Sequence, residues 1–376
     1  MTPKLARFLD SGVVSTPAIV VDLDRVAANF GALRAALPDA AIYYAVKANP
    51  AVPIIDRLVG LGSRFDAASI AEVRACLDAG AAPAAISFGN TVKKVSAIAE
   101  AFARGVDLFA FDSDEELEKL AQAAPGAKVY CRLAVSQEGA DWPLSRKFGT
   151  TGEHARDLLI AARDRGLVPH GVSFHVGSQQ TGVGAYQTAI GQAAMVFSDL
   201  RARGIDLRLL NLGGGFPTRY RDDIPPIGAF GDAIMASVRA AFGNDLPDLL
   251  IEPGRAMVGD AGVAVSEVVL SCTRREDGDR RWVFLDIGRF GGLAETEGEA
   301  IRYAITAPRV GGAETLCVLA GPSCDGVDVM YRDTPYRLPA ALKSGDRVLI
   351  HDTGAYVTSY ASQGFNGFLP PQEHYL

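Results

Sequence analysis

Positive charge is in short supply in this chain. Lys and Arg number 37 against 44 Asp and Glu, which leaves a formal net charge of −7 over 376 residues. Nucleic-acid binders usually present a basic face, so this balance argues against one. Cysteine is scarce too. There are five, Cys76, Cys131, Cys272, Cys317 and Cys324, an odd count with no C-x-x-C spacing. That excludes a disulfide framework and a thiolate zinc site, so no metal is expected, and a reducing, cytoplasmic compartment is the simplest reading. No apolar run approaches the length of a membrane span. The opening MTPKLARFLDSG has neither the apolar core nor the small-residue cleavage pattern of a signal peptide. Internal repeats and low-complexity stretches are missing as well.

What is present is ordinary globular material, 48% hydrophobic and 22% charged. The length exceeds one ordinary core and fits two domains, or one large α/β barrel with an appendage. A short strand, AIVVD (18–22), leads into a helix over 23–37. Eight further strand segments follow, at 41–48, 63–68, 84–89, 106–112, 127–135, 171–177, 207–213 and 248–254. Between them lie helical-period stretches such as SIAEVRACLDAG (69–80). A helix between successive strands implies parallel pairing through right-handed crossovers. Eight such strands predict an α/β fold of the TIM (β/α)₈ type over residues 20–260. After that the pattern changes. The segments at 262–272, 281–288, 315–324 and 346–354 are strand-like with little helix between them, which predicts a mostly antiparallel β domain over 261–376, with 1–19 contributing. The stretch SQEGADWPLSRKFG (136–149) reads as a long loop over the barrel mouth.

Active sites of such barrels sit at the carboxyl ends of the strands. The unusual polar residues fall there: Lys47, Asp66, Asn90, Asp112, Arg132, His175, the Gly213–Gly215 run and Glu252. One or two could be capping, but eight in register are hard to explain as packing. Taken alone, Lys47 is most simply a lysine leaving the barrel for solvent. In an apolar or cationic surround it could instead be a neutral amine able to attack an aldehyde. A triple glycine is commonly a flexible turn; its functional use is a backbone cradle for a phosphate. Arg255, in EPGR (252–255), suits a phosphate because its planar fork donates in pairs. Glu252 could be a structural ion pair or the partner of a cofactor's ring nitrogen. His175, on an apolar segment, is by itself more often structural, but could stack on a flat ring with Ser178 nearby. Cys324, in GPSCDGVD, follows loop-like residues and could return a proton to a carbanion, while Asp325 could bind a cationic substrate tail.

Together these motifs resemble the fold-type III pyridoxal 5′-phosphate (PLP) decarboxylases, the alanine-racemase-like barrel group acting on ornithine, lysine, arginine and diaminopimelate. The resemblance runs nearly end to end through YYAVKAN (43–49), FDAAS with Glu72 (65–72), FAFDS (109–113), RKFG (146–149), FHVGSQ (174–179), NLGGGFP (211–217), EPGR, GPSCD (321–325), GAY (354–356) and FNGF (365–368). It is nearest the bacterial ornithine/lysine enzymes of eukaryotic-like type. It implies PLP as cofactor, carried by Lys47, with Glu252 at the pyridine nitrogen, Asp66 and Arg132 supporting the cofactor region and His175 on the ring. It places Ser178, Gly214, Gly215, Gly254, Arg255 and Tyr356 at the phosphate. Cys324 becomes the proton donor to Cα, with Asp325 and Tyr356 at the substrate. It further implies a homodimer in which Cys324, Asp325 and Tyr356 serve the other subunit's site, and in which Lys147 and Asp328 bridge the subunits.

Two departures bear on the substrate. The loop reads CDGVD (324–328) where the bacterial relatives usually have CDSAD. A second substrate carboxylate is not aligned, leaving Asp286, Glu295 and Glu297 as candidates. The expected reaction is decarboxylation of ornithine to putrescine, of lysine to cadaverine, or both, as in polyamine biosynthesis. Diaminopimelate decarboxylation is the main rival, but its distal carboxylate asks for a cationic partner, and Asp325 suits an ammonium. Another basic or D-amino acid remains open. Racemisation would need a second base. A silent regulatory paralogue would typically have lost residues such as Lys47 and Glu252, and a barrel-only PLP carrier would have no C-terminal β domain.

Overall fold

The structure is a computed structural model and describes residues 1–142 and 147–376. It divides into two compact units. One comprises Ala27–Pro217 and Ile224–Gly254. Its centre is a closed barrel of eight parallel strands, Ala40–Ala45, Arg64–Ala67, Ile86–Phe88, Leu108–Phe111, Lys128–Arg132, Val168–Ser173, Leu209–Asn211 and Asp248–Ile251. The last strand closes on the first through Leu249↔Ala40. Helices separate the strands, as expected for parallel pairing. Ile70–Asp78 shows why they form where they do. Ser69 accepts the N–H of Glu72 at 3.2 Å, and Glu72 reaches back to the N–H of Ala68 at 2.6 Å, a reciprocal cap. Val73 and Cys76, three residues apart, are the buried side chains of this helix. The barrel interior packs Tyr43, Leu108, Ala110, Tyr130, Leu209 and Leu250 into one cluster.

The strands are shorter than their apolar runs. The first ends at Ala45, because Ala45↔Asp66 is the last pair of its ladder. Lys47 then lies in a 3₁₀ turn, Val46–Ala48, closed by the N–H of Asn49 on the Val46 carbonyl at 3.1 Å. Likewise His175 lies beyond its strand, which ends at Ser173. In the 136–149 stretch, Ala140–Trp142 pairs antiparallel with Ser178–Gln180. Arg146 of RKFG lies outside the described residues.

The other unit comprises Met1–Val26, Thr218–Asp223 and Arg255–Leu376. Its spine is the thirteen-residue strand Gly262–Arg274. The first half of that strand pairs antiparallel with Ala18–Val21 and Arg347–His351, the second half with Arg280–Leu285. Register slips between Val268 and Leu270, so one strand serves both groups of partners. The sheet is mostly antiparallel, with two parallel pairs, Arg280–Leu285 on Glu314–Ala320 and Ala18–Val21 on Gln372–Tyr375. Ala18–Val21 is buried throughout. With no polar face, its pattern carries no information about which sheet takes it. Val329–Pro339, interrupted by Arg332, Asp333 and Pro335, is a strand that the alternation does not announce. Among the described residues no helix is long and apolar enough to cross a membrane.

Candidate active site

In the barrel unit, the ends of the strands bring Lys47, Asp66, Glu252, His175 and Arg132 into mutual electrostatic range. Lys47 Nζ stands 3.3 Å from Asp66 Oδ2. Asp66 is buried, and its Oδ1 has no hydrogen-bond partner among the described residues. Gly89 makes room for it: a Cβ there would lie 1.9 Å from Asp66 Oδ1. A buried acceptor without a donor is costly, and such sites often mark where a ligand completes the bonding.

Glu252 follows directly on the last barrel strand. Its Oε1 accepts from Asn211 Nδ2, while Asn211 Oδ1 accepts the N–H of Gly213 at 2.9 Å. One asparagine therefore orients both the carboxylate and the glycine run. Its signal in the sequence is an amide inside the apolar LLNL. Burial, and secondarily the Asp66 charge, pushes the Glu252 carboxyl up to about 7. His175 is held neutral, its pKa driven well below the usual value by burial and then by the Arg132 and Lys47 charges. The N–H of Gly177 donates to its Nδ1 at 3.1 Å, which leaves the ring proton on Nε2.

The glycine run packs against this group. Gly213 has φ +68°, and a Cβ there would meet the Phe174 carbonyl oxygen at 2.0 Å. Only glycine fits. The Gly214 carbonyl accepts from the Tyr186 hydroxyl at 2.9 Å, and the Gly215 carbonyl accepts the N–H of Gln180 at 2.8 Å. Gln180, completely buried, also donates to the Val176 and Glu138 carbonyls. It joins the loop around Ser178 to the stretch before Ala140–Trp142, a role its place in HVGSQQTG did not suggest. Asp112 accepts the N–H of Gly149 at 2.7 Å, and Asn90 donates to the Ala68 carbonyl at 3.1 Å. Both shape loops.

In the second unit, Arg255 departs from expectation. Its fork does donate in pairs, but to Glu295: Nη1 and Nη2 lie 2.8 and 2.6 Å from the two carboxylate oxygens. Nη1 also donates to the Tyr220 hydroxyl at 2.7 Å, and the Tyr356 ring lies 4.9 Å from the guanidinium. Arg255 and Glu295 are both buried. The paired donation read as phosphate recognition is made here to a buried carboxylate of the same unit. Glu295 is correspondingly removed from the candidate substrate acids. Of the other two, Glu297 is exposed and 3.2 Å from Arg289. Asp286 accepts from the Ser266 hydroxyl and the Glu267 N–H, and lines a cavity of about 440 Å³ with Phe290, Ser323, Asp328 and Phe365. Cys324 and Asp325 are exposed on the loop after Gly321. Asp328 is buried and accepts the N–H groups of Ser323 and Arg289. Lys147 is exposed, its Nζ 5.0 Å from the Phe148 ring.

The barrel-mouth residues fit a phosphorylated pyridine aldehyde. They supply an amine, a carboxyl whose protonation state is poised by burial, a neutral imidazole, an unsatisfied buried acceptor and a cradle that excludes Cβ atoms.

Comparison with known proteins agrees with this chemistry. The family described as pyridoxal-dependent decarboxylase, pyridoxal binding domain, matches residues 23–259. The lysine/ornithine decarboxylase of Selenomonas ruminantium is 37% identical over 357 residues, covering 94% of this chain and 88% of its own. The solved lysine/ornithine decarboxylase of Vibrio vulnificus, complexed with putrescine, superposes with a TM-score of 0.89 at 29% identity, over 100% of this chain and 99% of that one. Antizyme inhibitor 2 of Xenopus laevis is also similar, 32% identical over 95% of this chain and 80% of its own. The chain belongs to the PLP-dependent decarboxylase family.

Proposed function

We propose that this chain decarboxylates a basic amino acid, L-ornithine to putrescine, L-lysine to cadaverine, or both. It works in the cytoplasm as a homodimer whose two sites each draw on both subunits. The observation that carries the reading is the grouping of Lys47, Asp66, Glu252 and a neutral His175 at one end of the barrel, in a chain that also presents Cys324 and Asp325 on an exposed loop.

Lys47 is the amine that holds the cofactor, with Asp66 keeping Nζ in place and Arg132 adding positive charge beside the group. Glu252, oriented by Asn211, is the carboxyl assigned to the ring nitrogen, and it regains its ionised form when a cation stands against it. His175 offers an uncharged face, which costs little beside a flat ring. Ser178, Gly214, Gly215 and Gly254 supply the phosphate cradle; the family resemblance assigns to the same phosphate Arg255, whose guanidinium Glu295 fixes, and Tyr356. PLP, when bound, supplies a sink for the electron pair left as the carboxylate departs. Cys324 then gives its proton to Cα. Asp325 takes the distal ammonium of the substrate, and Asp286 is the better placed of the two remaining acids for a second contact.

Product analysis tests the reading. Purified, PLP-loaded protein is incubated separately with L-ornithine, L-lysine, L-arginine, meso-diaminopimelate and D-ornithine. A diamine from ornithine or lysine is expected. Lysine formed only from diaminopimelate would overturn the role given to Asp325. A silent paralogue is the second reading, raised by the likeness to an antizyme inhibitor. The presence of Lys47, Glu252 and Cys324 weighs against it, and a protein with no visible absorbance after PLP loading would favour it.

A further inference from the structure

The loop that carries Cys324 is anchored at several points. Asp328 takes the N–H of Ser323 at 3.1 Å, and the N–H of Gly321 donates to the Asp328 carbonyl at 2.8 Å. Inside the loop, the N–H of Val327 donates to Asp325 Oδ1 at 3.0 Å. The Cys324 peptide is held differently. Its N–H donates to Oδ1 of Asn366 at 2.8 Å, 42 residues further on. Asn366 lies in the short turn Phe365–Gly367 with φ 53°, a left-handed conformation that asparagine tolerates better than most residues. The Phe365 ring seats that turn against Phe290, with centroids 4.5 Å apart. Of the five cysteines, Cys324 is the exposed one.

We propose that Asn366 is a positioning residue for the Cys324 thiol. It fixes the peptide from which the thiol projects, so that the proton reaches one face of the substrate carbon. The inference rests on the reading of Cys324 as proton donor. In that step the bond from Cα to the carboxylate breaks and CO₂ leaves. The electron pair left at Cα takes the thiol proton, and the thiolate regains a proton from water. A donor held in one place protonates one face, whereas a wandering thiol or bulk water protonates both.

The test compares wild-type, Asn366→Gly, Asn366→Asp and Cys324→Ala holoenzymes turning over L-lysine and L-ornithine in D₂O, with the configuration of deuterium at the product's amine-bearing carbon as the readout. Glycine keeps the left-handed backbone but removes the acceptor; aspartate keeps both. A single configuration is expected from the wild type and Asn366→Asp, and a mixture from Asn366→Gly. In parallel, hydrogen exchange of the Cys324 N–H in the resting holoenzyme is expected to quicken about fivefold in Asn366→Gly, the worth of one neutral hydrogen bond. An unchanged configuration and exchange rate in Asn366→Gly would overturn the proposal. So would a mixture from Asn366→Asp, where the acceptor remains. A single configuration from Cys324→Ala would instead sink the donor reading, and the exchange rates would still decide whether Asn366 holds the Cys324 peptide.

Discussion

In the barrel mouth a carboxyl and an imidazole are driven by one cause to the same uncharged form. Burial penalises the charge of Glu252 and of His175 alike, raising one pKa and lowering the other. The Glu252 shift has a consequence for the cofactor-free protein. Its carboxyl titrates near 7 folded and near the ordinary carboxylate value of 4.5 unfolded. Between those values the folded state holds a proton that the unfolded state has lost, so stability falls as pH rises through the window. Glu252→Gln keeps the oxygen that Asn211 contacts and removes the titration. The apo variant is therefore expected to melt roughly 2–4 °C above the wild type at pH 8, with the gap closing toward pH 5. Thermal unfolding across pH checks this. On the role proposed for Glu252, the same substitution in the holoenzyme should lower kcat by about 10²–10³, because the ring nitrogen would lose its anionic partner.

At the scale of elements, short pieces of backbone are fixed by buried polar contacts. The turn Ala294–Glu299 is tied to the helix Arg255–Val258 through the Arg255–Glu295 pair. Neither side chain reaches water, so truncating one strands the charge of the other. Glu295→Ala is expected to cost about 3–5 kcal/mol, read by denaturant unfolding of the apo protein, with Glu295→Gln costing less. The Lys93–Glu116 pair obeys the same rule in the barrel unit. Lys93 Nζ, fully buried, lies 2.9 Å from Glu116 and donates to the Asn90 and Ala110 carbonyls. Burial brings its pKa down to about 8, against the pull of Glu116.

For the whole molecule, the assembly proposed above makes a specific demand. If each site takes Lys47 from one subunit and Cys324 from the other, then Lys47→Ala homodimers are inactive and Cys324→Ala homodimers keep only slow turnover. Mixing them under subunit exchange places half of all dimers in hybrid form, each with one intact site of two. About a quarter of wild-type turnover should return. Recovery of none, with hybrids shown to form, would mean that each site is built from one chain.

The amino-acid sequence by itself determined the barrel, the β unit and the gathering of polar residues at the strand ends. Alternation of strand and helix periods is local, and the eight polar positions each follow an apolar run, so both could be seen without coordinates. Lys47, Asp66, His175 and Glu252 were legible for that reason. Tertiary structure alone decided partnerships across sequence distance. It assigned the fork of Arg255 to Glu295, 40 residues away, joined Asn211 to Glu252, and placed Asn366 on the Cys324 peptide. A side chain's chemistry states what it can bond. Which of several equally suitable partners it meets depends on where the chain returns, and no periodicity encodes that.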